Sequence, residues 1–209
     1  MSERTVVAVA GLARSGTSCT AGMIHHLGVS MGLQLRPADE RNPRGYFEDD
    51  VLLWAATDLR MSSETRILLF KQYESLRYTR QGEGMIGMKV GRLCLLIPEL
   101  VSAFPRLKVV VPERPMKEVI RSQQNSRMWP GWGRKRLCGR MRIHRAKREE
   151  DIITHNVDVL RLPYHDTVND PKGAIRKLID FLGINPTEEQ IQTAVEFVSP
   201  SLSYCGSTS

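Results

Sequence analysis

The chain has 209 residues, 41% of them hydrophobic and 25% charged, with a formal net charge of +7. That length suits one domain, residues 1–209 together, with a buried core, and the balance is ordinary for a globular protein. It excludes a membrane-spanning bundle, because no apolar run approaches the roughly 20 residues that cross a bilayer. The positive charge points to anionic partners without choosing among nucleotide, nucleic acid, acidic glycan and membrane surface. Four scattered cysteines (Cys19, Cys94, Cys138, Cys205) form no Cys-x-x-Cys pair and no metal-ligand spacing. They read as reduced thiols in a cytoplasmic protein, and the N-terminus runs into its first strand with no signal peptide.

In chain order, the β-branched run Thr5–Ala10 predicts a buried strand, and residues 17–27 carry a helical pattern. Between them lies Gly11-Leu12-Ala13-Arg14-Ser15-Gly16-Thr17-Ser18. A strand, a tight glycine turn and a helix start make a phosphate cradle, in which backbone N–H groups converge on an anion and the helix dipole adds positive charge. Gly11 and Gly16 have the spacing of a nucleotide-binding P-loop, but Thr17 stands where its lysine is expected. The loop's cation is Arg14 instead, which points away from ATP and towards another phosphate-bearing cosubstrate.

Residues 28–45 lack a period and read as a long loop, of the kind that serves as a substrate lid. Asn42-Pro43-Arg44-Gly45-Tyr46-Phe47-Glu48 closes it, and Asp49 or Asp50 caps a helix carrying Val51, Leu52, Trp54, Ala55 and Leu59. Residues 64–79 read as a helix of mixed character. Met85–Lys89 predicts a short strand followed by a helix through Leu100. Leu107–Val111, bounded by Pro105 and Pro112, is the clearest buried strand, and Pro115 opens a helix with Met116, Val119, Ile120 and Gln123 on one face. Residues 128–133 break the pattern. Arg134–Arg148 holds eight Lys/Arg around a narrow stripe of Leu137 and Met141, the pattern of a solvated amphipathic helix. Val157–Leu162 is a further strand. Asp170-Pro171 then caps a helix with Ile175, Leu178, Ile179 and Leu182 in its stripe, stopped by Gly183. Thr187–Gln190 is a capping box before Ile191, Ala194, Val195 and Val198, and the tail from Ser199 is expected to fray.

Strands alternating with helices, each strand nearly all apolar, predict an α/β fold: a parallel β-sheet flanked by helices on both faces. Ligands of such sheets bind at the carboxyl ends of the strands. Here those ends are Gly11–Gly16, Lys89, Glu113-Arg114 and Pro163–Asp166, so the predicted pocket is basic.

At these positions the chain resembles the sulfotransferases that use 3′-phosphoadenosine 5′-phosphosulfate (PAPS). Arg14-Ser15-Gly16-Thr17-Ser18 is similar to their 5′-phosphosulfate loop. Val109-Val110-Val111-Pro112-Glu113-Arg114-Pro115, with Ser122 eight residues after Arg114, is similar to the strand, turn and helix that hold the 3′-phosphate. Eight helical residues cover about 12 Å, but helical side chains lean back towards the N-terminus, so both groups can meet one phosphate. Tyr164-His165-Asp166-Thr167 through Asp170-Pro171 to Phe181-Leu182-Gly183, and Phe197–Leu202, resemble later segments of bacterial-type members. The resemblance is thinnest over residues 50–84 and 128–156, where acceptor specificity would lie. It implies a P-loop NTPase-like sulfotransferase fold and PAPS as donor, with adenosine 3′,5′-bisphosphate as product and no metal. The acceptor would be a hydroxyl or amine of a small molecule, glycan or lipid.

Three departures stand out. Arg14 replaces the lysine usual in the cytosolic small-molecule branch, and position 165 is His where Glu is common. The chain also lacks the glycine-rich basic C-terminal loop that covers the 3′-phosphate, for which Arg134–Arg148 is a candidate substitute; the other functional reading of that stretch is a landing site for an acidic acceptor.

Sulfuryl transfer needs a phosphosulfate cradle, cations for the leaving group and a base. The loop amides with Thr17 and Ser18 suit the first, and Arg14 and Lys89 the second. Glu48, beside Tyr46 and Phe47, is the candidate base, since partial desolvation raises a carboxyl towards a useful pKa. The alternative is that Glu48 merely joins Asp49 and Asp50 in an acidic helix start. His165, near a strand end, is the rival base. His25 and His26 suit packing, His144 and His155 look solvated, and Trp129 and Trp132 suit either a gate or the core. Two other functions compete. A small-metabolite P-loop kinase would need Glu113 to organise Mg²⁺. A nucleic-acid or polyanion-binding module fits the charge, although no specific nucleic-acid motif is present.

Overall fold

A computed structural model describes residues 4–40, 42–82, 84–126 and 129–198. Four strands, β1 (Thr5–Val9), β2 (Ile86–Lys89), β3 (Arg106–Glu113) and β4 (Asp158–Pro163), form one parallel sheet in the order β2-β1-β3-β4. The nine helices among the described residues are α1 (Thr17–His26), α2 (Asp50–Thr57), α3 (Ser63–Gln81), α4 (Ile97–Ala103), α5 (Met116–Asn125), α6 (Arg134–Thr154), α7 (Tyr164–Asn169), α8 (Pro171–Leu182) and α9 (Glu188–Phe197).

The sheet is apolar on both faces because successive strand residues point to opposite sides. Val6, Ala8, Val109 and Val111 face a core built with α2, α3, α4, α5 and α6. Val7, Val9, Val110 and Leu162 face a second core, built with α1, α8 and α9. The register pairs Val9 with Lys89 and with Val110, so the loop after β1, the end of β2 and the end of β3 open on the same edge. The expected α/β architecture is therefore the observed one.

Local signals set most boundaries. Asp49, not Asp50, is the cap of α2, accepting from Val51 N at 3.0 Å. Its second oxygen takes Leu33 N and Gln34 N at 2.6 and 3.1 Å, pinning the long loop to the helix. The Thr187–Gln190 capping box forms as read, and Gly183 ends α8 in the left-handed region. The tail from Ser199 lies outside the described residues.

Three elements differ from the sequence reading. The segment after Lys89 does not continue directly into a helix. It turns at Gly91-Arg92, makes a 3₁₀ turn (Leu93–Leu95) and starts α4 at Ile97, because Pro98 is tolerated only in the first turn of a helix. β3 runs on through Pro112 to Glu113. By then it has passed the end of β1 and pairs with β4 alone, a setting that accepts a residue without N–H.

Helix α3 is longer than the predicted 64–79, and its buried face is Arg66, Phe70, Tyr73 and Arg77. Arg77, fully buried, donates to Gly87 O and Ser30 O at 2.6 Å each, tying the start of the long loop to β2. Arg66 reaches the carbonyls of Ala55, Asp58 and Met61, closing the end of α2.

Candidate active site

The loop between β1 and α1 is a tight cradle. A Cβ at Gly11 would meet Pro112 Cγ and Ser15 Oγ at 2.6 Å. At Gly16, whose φ is +104°, it would meet Tyr164 at 2.8 Å. Only glycine satisfies both the space and the backbone. Arg14 is also left-handed, at φ 74°, an uncommon state for a residue with a side chain and one that gathers at functional sites. Gly16 provides no side-chain cap for α1, and the first turn holds no acidic residue. The N–H groups that open α1 are thus left as donors for an anion.

Arg14, Gly16, Thr17 and Ser18 line a cavity of about 280 Å³ together with Lys89, Arg114, Ser122 and Glu48. Ser122 Oγ accepts from Arg14 Nε at 3.1 Å, and Arg114 Nη1 reaches Arg14 O at 3.5 Å. The sequence pair Arg114 and Ser122 is thus brought to one wall, with Arg14 between them. Glu118 steadies Arg114 through a 3.0 Å bond, and the guanidinium lies 4.2 Å from the Tyr164 ring centre. Burial alone would raise the Glu118 carboxyl, but bonds from Arg114 and His165 outweigh it and hold it below its usual value.

Glu48 enters from the opposite wall. Phe47, at φ 52°, packs between the His25 and Phe197 rings, and its left-handed backbone turns the chain so that Glu48 lines the cavity. Glu48 Oε1 accepts from Lys89 Nζ at 2.7 Å, and the same ammonium donates to Ser18 Oγ at 3.2 Å and Tyr46 O at 3.1 Å. Both side chains are buried, at 8% and 3% exposure for Glu48 and Lys89. Burial lowers the pKa of Lys89, Glu48 opposes that shift, and Arg14 and Arg36 add to it. The acidic helix start is thus Asp49 as cap with Asp50 in the first turn, while Glu48 lines the cavity.

Other expectations are placed differently. His165 does not line the cavity: its Nε2 sits 3.0 Å from Glu118 Oε1 on a side chain 55% exposed. Ser15 does not line it either, and its side chain is buried behind the loop beside Pro112, Glu113 and Arg148. No residue of Arg134–Arg148 lines the cavity, so the expected phosphate cover from that stretch is not met. Helix α6 instead buries Leu137, Met141 and Ile152 in the core, and Arg148 ties to Glu149 and Ala10 O. Trp129 and Trp132 pack beside the same core and are not among the residues that line the cavity. His25 and His26 pack on Phe47 and Phe197, with burial lowering both pKa values.

The sequence reading missed Arg36, Asn42, Arg44 and Tyr46 of the long loop, all of which line the cavity. Asn42 Nδ2 donates to Ser18 Oγ at 3.1 Å, fastening the loop over the start of α1. The signal was present: the phrase that supplied Glu48 also carries these side chains. Among the described residues, five cations and one carboxylate line the cavity. Cys19 also borders it, and burial pushes its thiol up to about 11 against the pull of Arg44, so it stays protonated.

A family model described as the sulfotransferase family matches residues 7–189. The chain belongs to the sulfotransferase family. Solved sulfotransferases share its fold. Sulfotransferase STF1 from Mycobacterium tuberculosis H37Rv matches with a TM-score of 0.62 at 13% identity, covering 94% of this chain and 75% of that one. The sulfotransferase domain of the Synechococcus PCC 7002 olefin synthase gives 0.59 at 17% identity, covering 91% and 76%. Sulfotransferase STF9 from Mycobacterium avium gives 0.55 at 15%, covering 94% and 68%. At these identities the likeness speaks for the fold alone. No curated protein matches the chain in sequence. Among the described residues of this sulfotransferase, no helix is long and apolar enough to cross a membrane.

Proposed function

We propose that this sulfotransferase moves a sulfuryl group from PAPS to the hydroxyl or amine of an acceptor, with Glu48 as the base. The observation that carries the reading is the Glu48–Lys89–Ser18 chain, which joins a buried carboxylate to the anion cradle within one cavity. The cavity suits a nucleotide with two anionic groups: glycines let the cradle turn tightly, the start of α1 has no side-chain cap, and cations outnumber carboxylates among the lining residues.

The donor supplies the sulfuryl group and departs as adenosine 3′,5′-bisphosphate. The α1 amides with Thr17 and Ser18 hold the phosphosulfate end, and Arg114 with Ser122 holds the 3′-phosphate. Glu48 takes the proton of the attacking hydroxyl on a carboxylate oxygen as the acceptor's oxygen bonds to sulfur and the bond from sulfur to the bridging oxygen breaks. Lys89 and Arg14 neutralise the charge that develops on the departing phosphate, the positioning and electrostatic work that dominates such transfers. No step calls on a metal ion. Glu113, which a kinase would need for Mg²⁺, is instead engaged by Arg161 at 3.1 Å and lies outside this cavity. A cytoplasmic setting accords with Cys19, Cys94 and Cys138 being free thiols.

The test is transfer of label from ³⁵S-PAPS into a cell extract, comparing the wild type with Glu48→Gln. Loss of turnover by about 10²–10⁴, the usual range for a general base, with adenosine 3′,5′-bisphosphate still bound, is the expected result. Turnover retained in Glu48→Gln places the base elsewhere.

A further inference from the structure

Helix α6 carries an arrangement that the donor site does not use. Arg136, Arg140 and His144 follow one another at four-residue spacing, which stacks them on one helix face. The like charges of Arg136 and Arg140 repel at that spacing. Among the described residues, neither Arg136 nor Arg140 nor the nearby Arg92 forms a salt bridge. The charges acting on Arg140 are those of Arg92 and Arg136, and those acting on His144 are Arg140 and Arg92. Burial first, then these neighbours, hold the His144 imidazole below its usual value.

Packing keeps the cluster together. Arg136 lies 3.7 Å from the centre of the Trp132 ring and Arg140 lies 4.2 Å from that of Trp129. The two indoles lie 5.4 Å apart and form an aromatic floor, which fixes guanidinium planes without neutralising them. Three N–H donors of this cluster, Arg92 Nε, Arg140 Nε and Trp129 Nε1, are buried and find no hydrogen-bond partner among the described residues. Buried donors are nearly always satisfied, so a group of them among unopposed cations marks a place where an acceptor oxygen belongs.

The cluster adjoins the active site. Arg92 directly follows Gly91, which lines the catalytic cavity two residues beyond Lys89. A Cβ at Gly91 would meet nothing within 4 Å, so the space on that side is open.

We propose that Arg92, Arg136 and Arg140 form an oxyanion subsite, and that the sulfuryl acceptor carries a phosphate, sulfate or carboxylate group that docks there. The acceptor assignment rests on the proposed donor site, whereas the subsite itself does not. An anionic acceptor would enter past Gly91 with its charged group on the arginines and its hydroxyl towards Glu48 and Lys89. A neutral sugar or alcohol would leave the cluster uncompensated.

Trp129 and Trp132 report directly on this site. In a Trp54→Phe background they are the only tryptophans, and their fluorescence can be titrated with inorganic pyrophosphate while adenosine 3′,5′-bisphosphate saturates the donor cavity. The expected result is a saturable change that weakens about tenfold or more in Arg140→Gln, the loss of a charge-assisted hydrogen bond. Arg92→Gln, on a different element, weakens it as well, and Arg114→Ala leaves it intact. No saturable change, or one indifferent to both arginine variants, overturns the subsite. Mutual exclusion of pyrophosphate and the nucleotide overturns the acceptor assignment. Nucleotide binding is read separately as a melting shift, so a failed donor reading is told apart: the dependence of the pyrophosphate titration on Arg92 and Arg140 tests the subsite whether or not the nucleotide binds.

Discussion

Removing the Glu48 carboxylate probes the site and the fold together. Glu48→Ala leaves the Lys89 ammonium buried without a counter-charge, a change that costs about 3–5 kcal/mol. Glu48→Gln is milder. Its amide oxygen still faces Nζ, and the ammonium keeps Ser18 Oγ and Tyr46 O at 3.2 and 3.1 Å. The expected loss is then that of a charged hydrogen bond, about 1.5–3 kcal/mol. At roughly 2–4 °C per kcal/mol for a chain of this length, melting falls by about 3–12 °C. Lys89→Met strands the carboxylate in turn, and the double variant removes both charges, so its loss falls short of the sum by about 0.5–3 kcal/mol. The deficit also depends on pH. Glu48 opposes the lowering of the Lys89 pKa, so without it the folded-state value drops further below 10.5. The unfolded chain then binds more protons than the folded one between the lowered value and 10.5, and stability rises with pH across that window. Thermal melts of the wild type, both single variants and the double, from neutral pH upward, read all of this. Additive losses with a pH-independent Glu48→Gln deficit would refute the buried pair.

Three further outcomes are expected. Arg114→Ala weakens adenosine 3′,5′-bisphosphate by about 1.5–3 kcal/mol, measured by calorimetric titration, while an unchanged affinity removes Arg114 from the donor site. Gly16→Ala forces a side chain into a φ of +104° and against Tyr164 at 2.8 Å. It costs about 1–3 kcal/mol of stability and lowers nucleotide affinity, and melting curves with and without nucleotide separate the two effects. Arg77→Met removes a fully buried side chain that holds Gly87 O and Ser30 O. Ser30 O keeps its bond from Gly87 N at 2.8 Å, so the cost is the loss of hydrogen bonds from a charged donor, about 1.5–3 kcal/mol each, seen as a lower urea midpoint.

The sheet was legible because β-branched runs such as Leu107–Val111 have no other stable use in a chain this size, and proline and glycine mark their ends. Helix α3 was harder. Its inner face alternates Phe70 and Tyr73 with Arg66 and Arg77, so a period defined by apolar residues breaks where buried arginines bond to carbonyls. The cradle and Lys89 could be placed at strand ends, and Arg114 with Ser122 by resemblance to a family motif, since strand ends and one short helix bring them together. The position of Glu48 depends on a left-handed backbone at Phe47, a conformation no propensity predicts for phenylalanine. Arg36 and Arg44 reach the cavity only because Asp49 and Asn42 fasten the long loop, bonds between residues many positions apart. The basic run is placed by its apolar residues. Its charge density suggested a phosphate cover, whereas its placement follows from Leu137, Met141 and Ile152, which set helix α6 against the core.

The most direct test of the donor site is a titration of the wild-type chain with adenosine 3′,5′-bisphosphate in EDTA, followed by calorimetry and melting. One nucleotide should bind per chain without metal. At a hundredfold excess over its dissociation constant it should add about 2.7 kcal/mol, a rise of roughly 5–11 °C. No heat and no shift at saturating nucleotide, or binding that appears only with Mg²⁺, would contradict the account.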